Sequence, residues 1–255
     1  MKKKYLRYSY EKKICYGLVE DGLIHQIKSD FLFNKPVKTG EIVDINKVTI
    51  LPPVVPSKVV GLAYNYKDLV GKKNTYDEPL IFLKPSTSVV GMGDNVIIPE
   101  DRTAWGEVEL AIVIGKKSKN VSHKDSGSHI FGYTVANDIT MKNIESRDHH
   151  LARSKGCDTF CPLGPWIVTN LNTSELTLTN KINNNIFQEG NTSNRIINDF
   201  EAVSLVSKYI TLYPGDVIIT GTPKNAMNSL LFDGSEISVT VQDIGTLTNK
   251  VQKNK

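Results

Sequence analysis

Apolar and polar residues are spaced along this chain in a way that predicts strands far more often than helices. The most telling stretch is Val108-Glu109-Leu110-Ala111-Ile112-Val113-Ile114, which is apolar without interruption after Glu109. Strict alternation marks a strand with one wet face, whereas an unbroken apolar run of this length marks a strand covered on both. Residues 14–19 and 23–27 flank Glu20-Asp21-Gly22, and Asp-Gly between two apolar runs predicts a tight hairpin. Further strands are expected at residues 58–63, 80–85, 96–99, 130–136 and 217–219. Ile237, Val239 and Val241 alternate as a late strand, with Gly245 turning the chain into a closing hairpin. One helix is predicted, with Asp199 as N-cap and Phe200, Val203, Val206 and Ile210 on one face. Leu51-Pro52-Pro53-Val54-Val55-Pro56 stiffens the chain and divides a small N-terminal β domain (1–52) from a larger domain (53–255). Residues 67–79 are polar and contain glycine, a candidate mobile loop. The pattern is that of an α+β, strand-dominated protein.

Composition narrows the classes of function. Of 255 residues, 40% are apolar, yet no apolar run approaches the ~20 residues that cross a bilayer, so no membrane partner is expected. The net charge of +4 comes largely from Lys2, Lys3, Lys4, Lys250, Lys253 and Lys255 at the two ends. With no basic stripe interleaved with aromatics, nucleic-acid binding is not expected. Cys15, Cys157 and Cys161 lack zinc-pair spacing, and an odd count with no export signal fits a reducing cytoplasm.

The chemistry is concentrated where Trp105-Gly106-Glu107-Val108-Glu109 enters the apolar run. Residues two apart on a strand share a face, so Glu107 and Glu109 point the same way. At about 4 Å and an effective dielectric of about 20 their repulsion is on the order of 4 kcal/mol. Either one carboxyl takes up a proton or a cation sits between them. Asp138, at the end of the apolar stretch Ile130-Phe131-Gly132-Tyr133-Thr134-Val135-Ala136, is the third candidate ligand. Oxygen donors without His or Cys at ligand spacing favour Mg²⁺ or Mn²⁺ over zinc. Three carboxylates around one divalent ion leave a net negative charge that a lysine would offset, and Lys155, just before Gly156, is the candidate.

Several motifs in order resemble the fumarylacetoacetate hydrolase family. They are Phe82-Leu83-Lys84-Pro85-Ser86-Thr87-Ser88, Gly106-Glu107-Val108-Glu109-Leu110-Ala111, Gly132-Tyr133-Thr134-Val135-Ala136-Asn137-Asp138, Lys155-Gly156-Cys157-Asp158-Thr159-Phe160, Gln188-Glu189-Gly190 and Pro214-Gly215-Asp216 through Thr220-Gly221-Thr222-Pro223. The resemblance implies a mixed β-sandwich roll with a small N-terminal β unit, usually a homodimer. It implies Glu107, Glu109 and Asp138 as ligands of Mg²⁺ or Mn²⁺ and Lys155 as the catalytic contact. Tyr66, Lys142, Gln188 and Thr222 are the implied substrate contacts, with Thr222 on the substrate carboxylate. Family members are hydrolases, lyases and isomerases of 2-oxo and 1,3-dicarbonyl acids. The expected substrate is therefore a small 2-oxo acid.

The chain departs from the pattern at three places. Relatives that cleave acylpyruvates carry His and Glu after the Asn-Tyr pair, where this chain has Leu69 and Lys72. Neither can act as a general base at neutral pH. Lys142 stands where relatives often have Arg, and His149 and His150 where Gln-Trp is common. The expected reaction is decarboxylation or keto–enol isomerisation, of the 2-hydroxyhepta-2,4-diene-1,7-dioate isomerase or oxaloacetate decarboxylase type. His149 or His150 is the candidate base. The alternatives are carbon–carbon hydrolysis of acylpyruvates or fumarylpyruvate, and a metal-binding relative without turnover.

Overall fold

The computed structural model describes residues 1–70, 78–143 and 147–254. Lys72, and with it part of the polar connection between Lys67 and Pro79, lies outside the described residues, as do residues 144–146. The described start of that connection is a single helical turn, Lys67–Val70.

Strands dominate, as expected. A twelve-stranded mixed sheet runs Lys38–Asp44, Leu23–Ile27, Lys13–Glu20, Lys3–Tyr10, Cys161–Thr169, Ile130–Asn137, Val108–Ile114, Val217–Ile219, Lys58–Ala63, Leu80–Pro85, with two short strands off this path. A five-stranded sheet is ordered Asn185–Asn191, Thr177–Ile182, Glu236–Val241, Gly245–Asn254, Asn95–Pro99. Val108–Ile114 is buried along its whole length, and its side chains feed two cores. Val108, Leu110, Ile112 and Ile114 pack with Val96, Ile237 and Val239 of the five-stranded sheet. Ala111 and Val113 face a second core containing Val59, Phe82 and Leu163. The unbroken apolar run thus has its cause in two covered faces. Glu109, two residues before Ala111, lies on the second of them.

The hairpin at Asp21-Gly22 forms as predicted, with both residues at positive φ (49° and 77°), the requirement of a type I′ turn. The first strands do not stand apart. Lys3–Tyr10 pairs with Cys161–Thr169, and the rings of Tyr5, Phe31 and Phe131 meet at 5.0–5.5 Å between centroids. Residues 51–57 carry no regular element between the first fifty residues and Lys58–Ala63.

The helix Asp199–Tyr209 starts one residue away from expectation. Asn198, not Asp199, is the N-cap; its side chain accepts from the N–H groups of Phe200 and Glu201, and Glu201 closes a capping box. The Asp199 carboxylate is taken instead by Arg195 and Thr173. Phe200 is 44% exposed, while Val203 and Val206 are buried. None of the described helices is long and apolar enough to cross a membrane.

Candidate active site

Antiparallel pairing brings the carboxylates together. Val108 is the register partner of Asn137, so the entry of one strand lies beside the exit of the next. The Asp138 N–H donates to the Glu107 carbonyl at 2.9 Å, and the Glu107 N–H donates to Asn137 Oδ1 at 3.0 Å. Glu107, Glu109 and Asp138 each offer an oxygen within 4.8 Å of the other two.

Each carboxylate is held by fixed donors. Glu107 Oε1 accepts from Trp105 Nε1 at 2.7 Å and from Thr140 Oγ1 at 3.0 Å. Its Oε2 accepts from Lys155 Nζ at 3.1 Å. Glu109 Oε2 accepts the Gly221 N–H at 2.6 Å. A side chain at Gly221 would strike the Leu62 carbonyl at 2.8 Å, and the residue has φ +90°, so only glycine brings its N–H this close. Asp138 pairs with Lys84 through one oxygen and Lys155 through the other. Lys155, at the end of the turn Ala152–Lys155, also donates to Thr140 Oγ1 at 2.6 Å.

Burial and charge set the protonation states. Burial is the main cause that pushes the Glu109 carboxyl well above its usual range, and Asp138 and Glu107 push in the same direction. Burial disfavours the Lys155 ammonium, but Asp138 and Glu107 outweigh it and hold its pKa above the ordinary value. At Asp138 burial acts upward, yet Lys155 and Lys84 prevail and hold the carboxyl low.

The sequence-derived charge count omitted Lys84, which is fully buried against Asp138. With all three carboxyls ionised, as ligation of a cation requires, two ammonium groups leave one net negative charge, which a divalent cation would turn into one net positive charge. That balance suits an anionic substrate. In the structure burial alternates along the strand of Lys84, which shares the buried face with Phe82, and the unbroken apolar run Leu80-Ile81-Phe82-Leu83 before it does not disclose this. Trp105 and Thr140 were missed as well, because their convergence on Glu107 depends on a ribbon between distant segments.

The cluster opens into a cavity of ≈ 570 Å³. Lys155, Thr222 and His149 line it together with the three carboxylates. Gln188 does not reach the lining; it is buried behind Thr222, donating to Thr222 Oγ1 at 2.8 Å and to the Pro223 carbonyl at 2.7 Å. Tyr66 does not line the cavity either. Its side chain is fully buried, its hydroxyl has no hydrogen-bond partner among the described residues, and its backbone bridges to Arg195. Lys142 and His150 are exposed and off the lining. The Lys142 N–H donates to the Thr103 carbonyl at 2.8 Å, and the residue is exposed. Leu69 does face the cavity. Tyr64, Leu151 and Asn225, also on the lining, adopt left-handed backbone at φ 62°, 58° and 68°, the kind of local strain that gathers at functional sites.

The donor set is all oxygen, half-buried or buried, and converges on one point beside a cavity. These residues fit a hard divalent cation such as Mg²⁺ or Mn²⁺ and do not fit zinc's preference for nitrogen and sulfur. Fold and site together define a strand-dominated protein with an acidic, lysine-braced centre in a concave pocket.

Comparison with known proteins gives the family. The fumarylacetoacetate hydrolase C-terminal model matches residues 58–252, and an Rv2993c-like N-terminal model matches residues 3–53. The chain belongs to the fumarylacetoacetate hydrolase family. It is 40% identical over 217 residues to an uncharacterized protein of Archaeoglobus fulgidus, covering 84% of this chain and 86% of that one. It is 37% identical over 221 residues to the mitochondrial oxaloacetate tautomerase FAHD2A of Homo sapiens, covering 81% and 70%. Among solved structures it is similar to 5-carboxymethyl-2-hydroxymuconate delta-isomerase from Mycobacterium smegmatis, with TM-score 0.90, 35% identity and coverage of 98% and 100%.

Proposed function

We propose that this protein is a divalent-metal-dependent enzyme that interconverts keto and enol forms of a 2-oxo acid, or decarboxylates one, rather than hydrolysing a carbon–carbon bond. The supporting observation is the convergence of Glu107, Glu109 and Asp138 within 4.8 Å, with Lys155 bonded to two of them, at a cavity lined by Thr222. Glu107, Glu109 and Asp138 would hold Mg²⁺ or Mn²⁺, which when bound supplies a Lewis acid that polarises the substrate's keto group.

The remaining work falls to side chains of this chain. Thr222 faces the substrate carboxylate; its hydroxyl accepts from Gln188 and donates to the Val108 carbonyl at 3.0 Å, and it swings that one proton from the carbonyl to the carboxylate when substrate binds. Lys155 remains charged in its anionic surroundings and stabilises negative charge that develops as a proton or CO₂ leaves. His149 lies on the lining, which supports it as the base that takes or returns the proton at the carbon next to the keto group. Leu69 presents carbon to the cavity where water activation would need a base, which favours isomerisation or decarboxylation over hydrolysis. A homodimer in a reducing cytoplasm is carried over from the resemblance and from three free cysteines.

The test is a panel of 2-oxo acids followed by enol absorbance, with Mn²⁺ and with chelator, using Glu107→Gln as control. Metal-dependent decay of the enol, lost in the variant, is expected for at least one compound. Efficient hydrolysis of an acylpyruvate by the same preparation would overturn the choice of reaction.

A further inference from the structure

We infer that the cavity selects 2-oxo acids whose tail is uncharged and apolar, in preference to dicarboxylates. This deepens the proposed function and rests on a 2-oxo acid being the substrate.

The observation is how unevenly charge is distributed over the lining. Glu107, Glu109, Asp138 and Lys155 form one hydrogen-bonded cluster. That cluster accounts for only part of a cavity of ≈ 570 Å³, a volume in the range that holds drug-sized ligands and larger than a three-carbon oxo-acid head requires. Much of the remaining lining is carbon: Leu69, Leu80, Phe82, Leu151 and Met227. Phe82 joins the two regions, its ring centroid 5.0 Å from Lys155 Nζ. A head group held at the charged cluster therefore starts its tail against an aromatic face.

Exposure points the same way. Leu69, Leu80 and Met227 are 39%, 49% and 66% exposed, although large apolar side chains gain by leaving water. In a concave site the natural cover for them is the ligand. A second carboxylate placed among them would lose hydration, and Lys155 is the only lysine or arginine on the lining among the described residues. Lys155 is already committed to Glu107, Asp138 and Thr140. A carboxylate set against these carbon faces gives up part of its hydration and gains no cation in return. Tyr64, His149, Asn225 and Asn228 add polar atoms to the lining and, like Leu80 and Met227, are exposed, but none of them is a lysine or arginine that would pair with a carboxylate.

The experiment compares two ligands with the same head and tails of the same shape. One is 5-methyl-2-oxohexanoate, which ends in two methyl groups; the other is 2-oxoglutarate, which has two carboxylate oxygens in their place. Calorimetric titration of the Mn²⁺-loaded protein should give a dissociation constant at least about tenfold lower for the methyl compound, within the usual range for apolar discrimination in a pocket. Leu80→Lys should shrink or reverse that ratio by placing an ammonium on the wall. Met227→Lys, at a more exposed position, does the same if Leu80→Lys fails to fold. Equal or tighter binding of 2-oxoglutarate to the wild type would overturn this inference and leave the 2-oxo acid function standing. A methyl preference untouched by both lysine variants would also overturn it, because the tail would then lie elsewhere. If neither compound binds with Mn²⁺ present, the 2-oxo acid function itself is contradicted.

Discussion

Trp105 and Thr140 are register partners in a two-residue antiparallel ribbon, and their side chains reach the same oxygen of Glu107. The indole N–H lies 2.7 Å from Oε1 and the threonine hydroxyl 3.0 Å from it. Two donors on one oxygen fix the rotamer of the carboxylate and leave Oε2 turned toward Lys155 and the cluster. Outer donors of this kind tune a metal site as strongly as they orient it.

Removing them should therefore weaken metal binding without unfolding the protein. Trp105→Phe and Thr140→Val are each expected to raise the Mn²⁺ dissociation constant by about tenfold or more. Titration followed by the Mn²⁺ electron paramagnetic resonance signal checks this, with circular dichroism confirming the fold. Unchanged affinity in both variants would show that Glu107 needs no bracing.

Lys84 is expected to matter for stability as much as for chemistry. It is fully buried, and so is its partner Asp138. Lys84→Met keeps most of the volume but leaves one Asp138 oxygen without its cation. Breaking a buried pair from one side costs about 3–5 kcal/mol. Urea denaturation of the metal-free variant measures that loss, and added Mn²⁺ should restore part of it by neutralising the same carboxylate.

Glu109 gives the metal-free protein a defined pH response. Its carboxyl is raised in the folded state, mainly by burial and then by Asp138 and Glu107, so the folded chain binds its proton more tightly than the unfolded chain does. The associated stability is fully present below the unfolded pKa and is lost as pH rises through the folded one. Metal-free protein should therefore lose thermal stability over that window, and Glu109→Gln should not show this part of the loss. Metal binding requires the carboxylate. Mn²⁺ affinity in the wild type should thus fall as pH is lowered below the raised pKa, by about tenfold per pH unit for one displaced proton. A flat affinity profile would contradict the burial-driven shift.

Asn198 tests a smaller reading of the fold. Its side chain caps the helix Asp199–Tyr209 through the N–H groups of Phe200 and Glu201. Asn198→Ala is expected to cost about 1 kcal/mol, measured by chemical denaturation.

Much of this arrangement could be read from the chain, and what could not has physical causes. The strand Val108–Ile114 was legible because both of its faces are apolar. Asp138 stood out because a charge rarely ends an apolar run without a partner. The helix itself was legible, but its first residue was not, since Asn198 and Asp199 are both good caps. The choice was made by Arg195 and Thr173, which claim the Asp199 carboxylate. Lys84 was hidden because its partner lies 54 positions away. Tyr66 and Lys142 had the right chemistry for substrate contact, yet the first turns into the core and the second out to solvent. Both residues are held by backbone pairings, with Arg195 and Thr103, that no local pattern announces.

The most direct measurement is the stoichiometry of Mn²⁺ on the wild type and on Glu109→Gln, read by electron paramagnetic resonance with and without oxalate, a non-reacting mimic of the oxo-acid head. One tightly held ion per chain is predicted, lost in the variant, with oxalate changing the signal of the wild type alone. No bound ion, or binding that survives in Glu109→Gln, would contradict a centre built from these three carboxylates.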